Sequence, residues 1–104
     1  YATNSQTTIV AIGAKYNAGT TNFFDGQIDE VAFWNEALTA AEITALYNSG
    51  YGMSASANSG NYTSSSNLVS YYQMQSNLND TQGNHNGSNG NGISSSDYSN
   101  TAIQ

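Results

Sequence analysis

The 104-residue chain has no cysteine, a single residue of lysine or arginine, and no long hydrophobic run. Without cysteine there is neither a disulfide framework nor a thiolate metal site. Lys15 stands alone against seven Asp or Glu, giving a formal net charge of −6. Proteins that grip nucleic acid neutralise phosphates with Lys and Arg, and anionic membranes are held by the same side chains. One lysine serves neither purpose, so both are excluded as partners. The longest apolar run, residues 9–14, is far too short to cross a bilayer, which excludes membrane insertion by a helix.

Ser, Thr, Asn and Gly take the place of charge. Such a composition alone suits a disordered chain, but aromatic residues make up 12% of this one, which points to an ordered β protein. A chain of this length buries about 65% of its unfolded surface, enough for one modest core.

The densest signals lie in residues 23–50, FFDGQIDEVAFWNEALTAAEITALYNSG. Asp25-Gly26 predicts a turn. Residues 27–34, rich in Ile, Val, Phe and Trp, predict a strand. A helix is expected over residues 40–48. Thr39 is its N-cap and Glu42, three residues on, completes a capping box. Leu38 is placed to staple onto Ile43. Ile43, Leu46 and Tyr47 recur at helical spacing and form the face expected to pack on the strand bearing Trp34. Gly50 is the expected C-terminal stop.

This run resembles the closing motif of laminin-G-like, concanavalin-A-like jelly rolls, which pentraxins share in looser form: G-x-I-D-E-V-x-x-W/Y-N-x-A-L-T/S-x-x-E-I-x-x-L-Y-x-x-G. It is met by Gly26, Ile28, Asp29, Glu30, Val31, Trp34, Asn35, Ala37, Leu38, Thr39, Glu42, Ile43, Leu46, Tyr47 and Gly50. Ile12-Gly13-Ala14-Lys15 is similar to the strand that precedes it in that family. A softer resemblance, to the opening motif of the same domains, covers residues 68–87 through Leu68, Val69, Tyr71, Asn77, Asp80, Gly83, Asn84 and Gly87. Tyr72 stands there for the usual Trp, Met74 for Phe and Ser70 for Gly.

The resemblance implies an all-β fold, an antiparallel jelly-roll sandwich segment with one short α-helix. The closing motif precedes the opening one, so residues 1–53 are expected to be the C-terminal part of one jelly roll. Residues 67–104 are expected to be the N-terminal part of a second or circularly permuted one. Residues 54–66, poor in apolar side chains, read as a linker or exposed loop. The start at Tyr1, without an initiator Met, suggests an excerpt of a longer protein. Further strands are expected at 7–16, 67–74 and, weakly, 95–103. A Gly/Thr/Asn turn is expected at 17–22, and a polar loop at 77–92 carries Asn-Gly turn signals at Asn86, Asn89 and Asn91.

Several side chains invite a chemical reading. Laminarinase-type hydrolases share the fold and set acids at alternate strand positions. Here Asp29 and Glu30 are adjacent, so they point to opposite faces, and Gln27 and Val31 flank Asp29 where further acids would stand. A retaining glycosidase needs two convergent carboxylates, so no enzyme is expected. The family often carries a rim calcium, and the ion takes six to eight hard oxygen ligands. The resemblance thus makes Asp80, Asn84, Asp25 and Asp29 candidate Ca²⁺ ligands, Asp80 foremost. Asx-turn hydrogen bonds explain the same residues without metal. Trp34, Phe33, Phe23 and Phe24 are expected in the core, whereas Tyr62, Tyr71, Tyr72 and Tyr98 are candidate surface stackers for a ligand. His85, the only histidine, has no Ser or Cys nucleophile near it in sequence and reads as a solvated loop residue. Sequons begin at Asn61, Asn79 and Asn86.

The expected function is a non-catalytic adhesion or recognition module of a larger extracellular, cell-surface or virion protein. Its partner would be a glycan or a protein surface. The competing expectation is a structural segment that pairs strands with neighbouring copies of itself to build a fibre, sheath or virion shell.

Overall fold

The computed structural model describes residues 10–16 and 20–88. Tyr98, the strand expected at 95–103 and the turns at Asn89 and Asn91 lie outside the described residues. In chain order come β1 (Lys15–Tyr16), β2 (Thr20–Thr21), β3 (Val31–Trp34), α1 (Ala40–Tyr47) and β4 (Leu68–Tyr72). Short 3₁₀ turns at Asn48–Gly50 and Ser65–Asn67 follow α1 and precede β4. β1 pairs antiparallel with β2, and β3 antiparallel with β4. Among the described residues these two-stranded sheets and the helix are part of a β-rich fold. They do not close into a two-sheet sandwich.

Three strands are shorter than the sequence suggests: the one expected at 67–74 is Leu68–Tyr72, and the other two are cut for a backbone reason in each case. In the segment expected as a strand over 7–16, of which residues 7–9 lie outside the described residues, residues 12–14 bend and Gly13 has φ +83°, leaving Lys15–Tyr16 as strand among the described residues. Gly13 is needed there: its carbonyl accepts the Phe24 N–H at 2.7 Å, and an added Cβ would lie 3.3 Å from the Ile28 side chain. In the 27–34 segment Glu30 adopts φ +55°, so pairing begins only at Val31.

The two family-like motifs meet in the β3–β4 sheet. Val31 lies opposite Tyr72, Ala32 opposite Tyr71 and Phe33 opposite Ser70, and a register shift between Phe33 and Trp34 sets Trp34 against Leu68. The core is Ala55, Tyr62, Leu68 and Tyr71. Ala32, Trp34, Leu38, Ala45, Leu46 and Met53 pack against it. Residues 54–66 are mostly exposed, but the segment also reaches the core. Ala55, Tyr62 and Ser64 from that segment are buried, and a tight turn with reciprocal Ser59–Tyr62 backbone bonds of 3.0 Å presents Tyr62 to the core.

The capping box of α1 forms as expected. The Glu42 N–H donates to Thr39 Oγ1 at 3.2 Å and the Thr39 N–H donates to Glu42 Oε2 at 3.0 Å. Of the expected face only Leu46 turns inward. Ile43 and Tyr47 are 57% and 66% exposed, while Glu42, Ala45 and Leu46 turn inward beside Leu38. The inward set keeps the i, i+3, i+4 spacing but is rotated by one residue, about 100° of helix. The cause is Glu42, only 4% exposed, whose Oε1 accepts the Thr63 N–H and the Ser64 hydroxyl. A carboxylate that collects donors from residues 63–64 must face them. The helix ends earlier than Gly50, because Asn48 already adopts the left-handed conformation (φ +49°), its N–H returning to Thr44 O. Asn tolerates that region better than most residues.

Candidate binding site

The loop after β4 is built around Asp80. Asp80 is 3% exposed. Its Oδ1 accepts the N–H groups of Tyr71 and Gln82 at 2.8 and 2.9 Å, and its Oδ2 accepts that of His85 at 3.0 Å. The Asp80 N–H donates to Asn86 Oδ1, the Thr81 N–H to Tyr71 O, and Asn84 Nδ2 to Val69 O. These bonds stitch residues 80–86 along the edge of β4 that faces away from β3. Burial pushes the Asp80 carboxyl up. Hydrogen bonds from Gln82, Ser70, His85 and Asn84 outweigh it and hold the group below the ordinary aspartate range.

That donor set does not fit a calcium ion. A cation needs oxygens, and the groups converging on Asp80 are N–H donors that already use its lone pairs. Asn84 donates Nδ2 to Val69 O. Asp25 and Asp29 are exposed on the loop before β3, with Asp29 Oδ1 accepting the Glu30 N–H at 3.0 Å. Among the described residues no group of three or more His, Cys, Asp or Glu is gathered.

Two of the tyrosines named as surface stackers are core residues. Tyr62 and Tyr71 are 0% and 1% exposed, so neither offers a ring face to a ligand. Tyr72 is half-buried, with its edge against Phe33 at 6.5 Å and its hydroxyl donating to His85 O at 2.6 Å. Of the aromatics expected in the core, Trp34 is there in part, edge-on to Tyr62, while Phe23, Phe24 and Phe33 are exposed. His85 does have a serine beside it, with Ser70 Oγ 3.1 Å from Nδ1. Fifteen residues of sequence hid that contact. Ser70 is buried, so the pair ties loop to strand and offers no accessible nucleophile.

Two concave sites remain. The first, about 200 Å³, is lined by Gln73, Met74, Gln75, Ser76, Asn77, Asn79 and Thr81. Every polar group on it is a neutral amide or hydroxyl. Met74 at its rim has φ +55°, and the Asn79 N–H donates to Asn77 Oδ1 at 2.9 Å to shape the turn. No spacing rule marks this site in the sequence, because its residues come from one irregular loop.

The second, about 110 Å³, lies against the core. Its walls include Ala32, Trp34, Leu46, Met53 and Tyr71, with Glu30 the one charged group. The Tyr71 hydroxyl donates to Glu30 Oε2, while Glu30 Oε1 is buried and has no partner among the described residues. The Trp34 Nε1–H donates to the Tyr62 hydroxyl at 2.8 Å, which donates to Ala55 O at 2.9 Å. Burial, and then the charge of Asp29, raise the Glu30 carboxyl to about 7. Asp29 is exposed and Glu30 turns to Tyr71, so the two adjacent acids do not face one another across a cleft.

Residues 1–44 match the Laminin_G_3 family model, described as the Concanavalin A-like lectin/glucanases superfamily. The matched stretch runs through β3 and the capping box into α1 and stops before the second motif. No curated protein and no solved structure matches the chain. No helix among the described residues is long and apolar enough to cross a membrane.

Proposed function

We propose that the chain belongs to a non-catalytic recognition module of a larger extracellular, cell-surface or virion protein, and that it binds a glycan or a protein surface through the loop at residues 73–81. The observation that carries this reading is the lining of that loop's concave site. Its amides and hydroxyls can each donate and accept and none is charged, which suits the neutral hydroxyls of a sugar or the backbone of a protein loop. The superfamily match over residues 1–44 supports the same class. Titration of the chain with neutral oligosaccharides, followed by the chemical shifts of the side-chain amides, tests it. Gln75 and Asn79 amide signals that stay fixed across a broad glycan panel and a candidate receptor panel would remove the reading.

Self-assembly is a second reading, favoured by one observation. Among the described residues the outer edge of β3 pairs with no strand, and Val31–Trp34 carries no charge, with Phe33 exposed. Such an edge accepts another strand. Sedimentation of wild type against Phe33→Lys across a concentration series separates the two readings.

A further inference from the structure

We propose that the pocket beside Glu30 receives the side chain of a lysine presented by a partner polypeptide. This inference is independent of the 73–81 loop and goes beyond it. It rests on the inventory of polar atoms in the pocket. Of the side chains that line it, the Trp34 N–H and the Tyr71 hydroxyl are both spent on partners within the chain. Glu30 Oε1 is the one buried side-chain oxygen or nitrogen left without a partner among the described residues. A buried acceptor in that condition is costly until a donor arrives. The side chains of Ala32, Leu46 and Met53 in its walls are apolar and offer nothing to a second polar group. A sugar ring would therefore strand its hydroxyls there. The fitting occupant has an apolar stem and carries its donor group only at the end, where it reaches the carboxyl.

Charge decides which donor. The chain carries a net charge of −6 with one lysine, and Asp29 adjoins Glu30. An ammonium group is drawn to this field and an anion is repelled. Four methylenes ending in an ammonium, the side chain of lysine, meet both demands, and the methylenes pack on Trp34 and Met53 while the head reaches the carboxyl. The Tyr71 hydroxyl on β4 touches Glu30, and the charge of its chain neighbour Asp29 acts on it from the exposed side of the loop. Leu46, Gly52, Met53 and Ala55 bring none from the helix or the segment after it.

The pocket reports on itself, because Trp34 in its wall is the only tryptophan. The full chain is titrated with Nα-acetyl-lysine methylamide while Trp34 fluorescence is followed. Nα-acetyl-norleucine methylamide, the same stem without the ammonium, is the control. A saturable shift with the lysine compound, at least tenfold weaker with the norleucine compound, is the expected result. The wild-type affinity should tighten several-fold from pH 5.5 to pH 8 as Glu30 ionises, which needs no variant to fold. Glu30→Gln should remove both the preference and the pH dependence. Equal responses to the two compounds, no response, or a lysine response that survives unchanged in Glu30→Gln would each overturn the proposal. So would a lysine response that appears only after Lys15→Ala, since Lys15 would then already occupy the pocket.

Discussion

The Trp34 indole N–H donates to the Tyr62 hydroxyl at 2.8 Å across 28 residues of sequence. The bond joins the strand of the first motif to a segment that composition alone would class as a linker. Tyr62 passes the chain of hydrogen bonds on to Ala55 O, so one hydroxyl satisfies two groups near the core.

Removing that hydroxyl should be felt in stability and not in binding. Tyr62→Phe leaves the Trp34 N–H and Ala55 O without their partner and is expected to lower unfolding free energy by about 1–3 kcal/mol. Urea titration followed by Trp34 fluorescence measures it. A ligand-stacking role for Tyr62 would instead give unchanged stability and weakened binding.

Helix α1 supplies a contrast between neighbouring positions. Thr39→Ala loses the cap and should cost about 1 kcal/mol. Ile43→Ser, on the exposed face, should stay within about 0.5 kcal/mol of wild type. Equilibrium denaturation of both variants checks the rotated face directly, because the face read from apolar spacing reverses the order.

Asp80 is expected to act through N–H groups and not through a metal. Asp80→Ala leaves the buried N–H of Tyr71 unpaired and also deprives Gln82 and His85, so a loss of about 2–4 kcal/mol follows from breaking charge-assisted bonds. A chelator should leave the melting temperature of wild type unchanged. A chelator-induced drop that vanishes in Asp80→Ala would restore calcium to the site.

The acids give a stability profile with a maximum in mild acid. Hydrogen bonds from Ser64 and then Thr39 hold Glu42 down at about 2 against the ordinary 4.5, and Asp80 is likewise lowered. Groups depressed in the folded state stabilise it above their unfolded values, and that stability is lost as pH falls. Glu30 has the opposite sign: raised from 4.5 to about 7, it favours folding fully below 4.5 and loses that contribution as pH rises through 7. Melting temperature should therefore peak close to the ordinary glutamate value, 4.5, falling on both sides. Glu30→Gln should flatten the alkaline side alone.

What the sequence disclosed was local. The Thr39–Glu42 capping box rests on neighbours three residues apart and is present, and the strand expected at 67–74 is found at Leu68–Tyr72. The direction of the α1 face was not legible, because it is set by Thr63 and Ser64, donors twenty residues away that captured Glu42. Tyr62 and Tyr71 looked amphipathic, but burial depends on which partners their hydroxyls find, and those are Ala55 O and Glu30. Strand lengths failed where single residues, Gly13 and Glu30, took positive φ, a choice that apolar spacing does not encode. The Ser70–His85 contact and the polar site at 73–81 arise from a loop folded back on β4, a path visible only in three dimensions.

The stitched edge of β4 limits how the sheet can grow. Asp80, Thr81 and Asn84 occupy the backbone groups of Val69 and Tyr71 on that side, while β3 stays open among the described residues. A sheet with one sealed margin is a terminator as well as a template. Two copies joining β3 to β3 would each present only a sealed margin outward, and addition would stop at a closed pair with two-fold symmetry. Among the described residues β3 is the one margin of this sheet left for another strand, so pairing through it would join two copies and not a row of them.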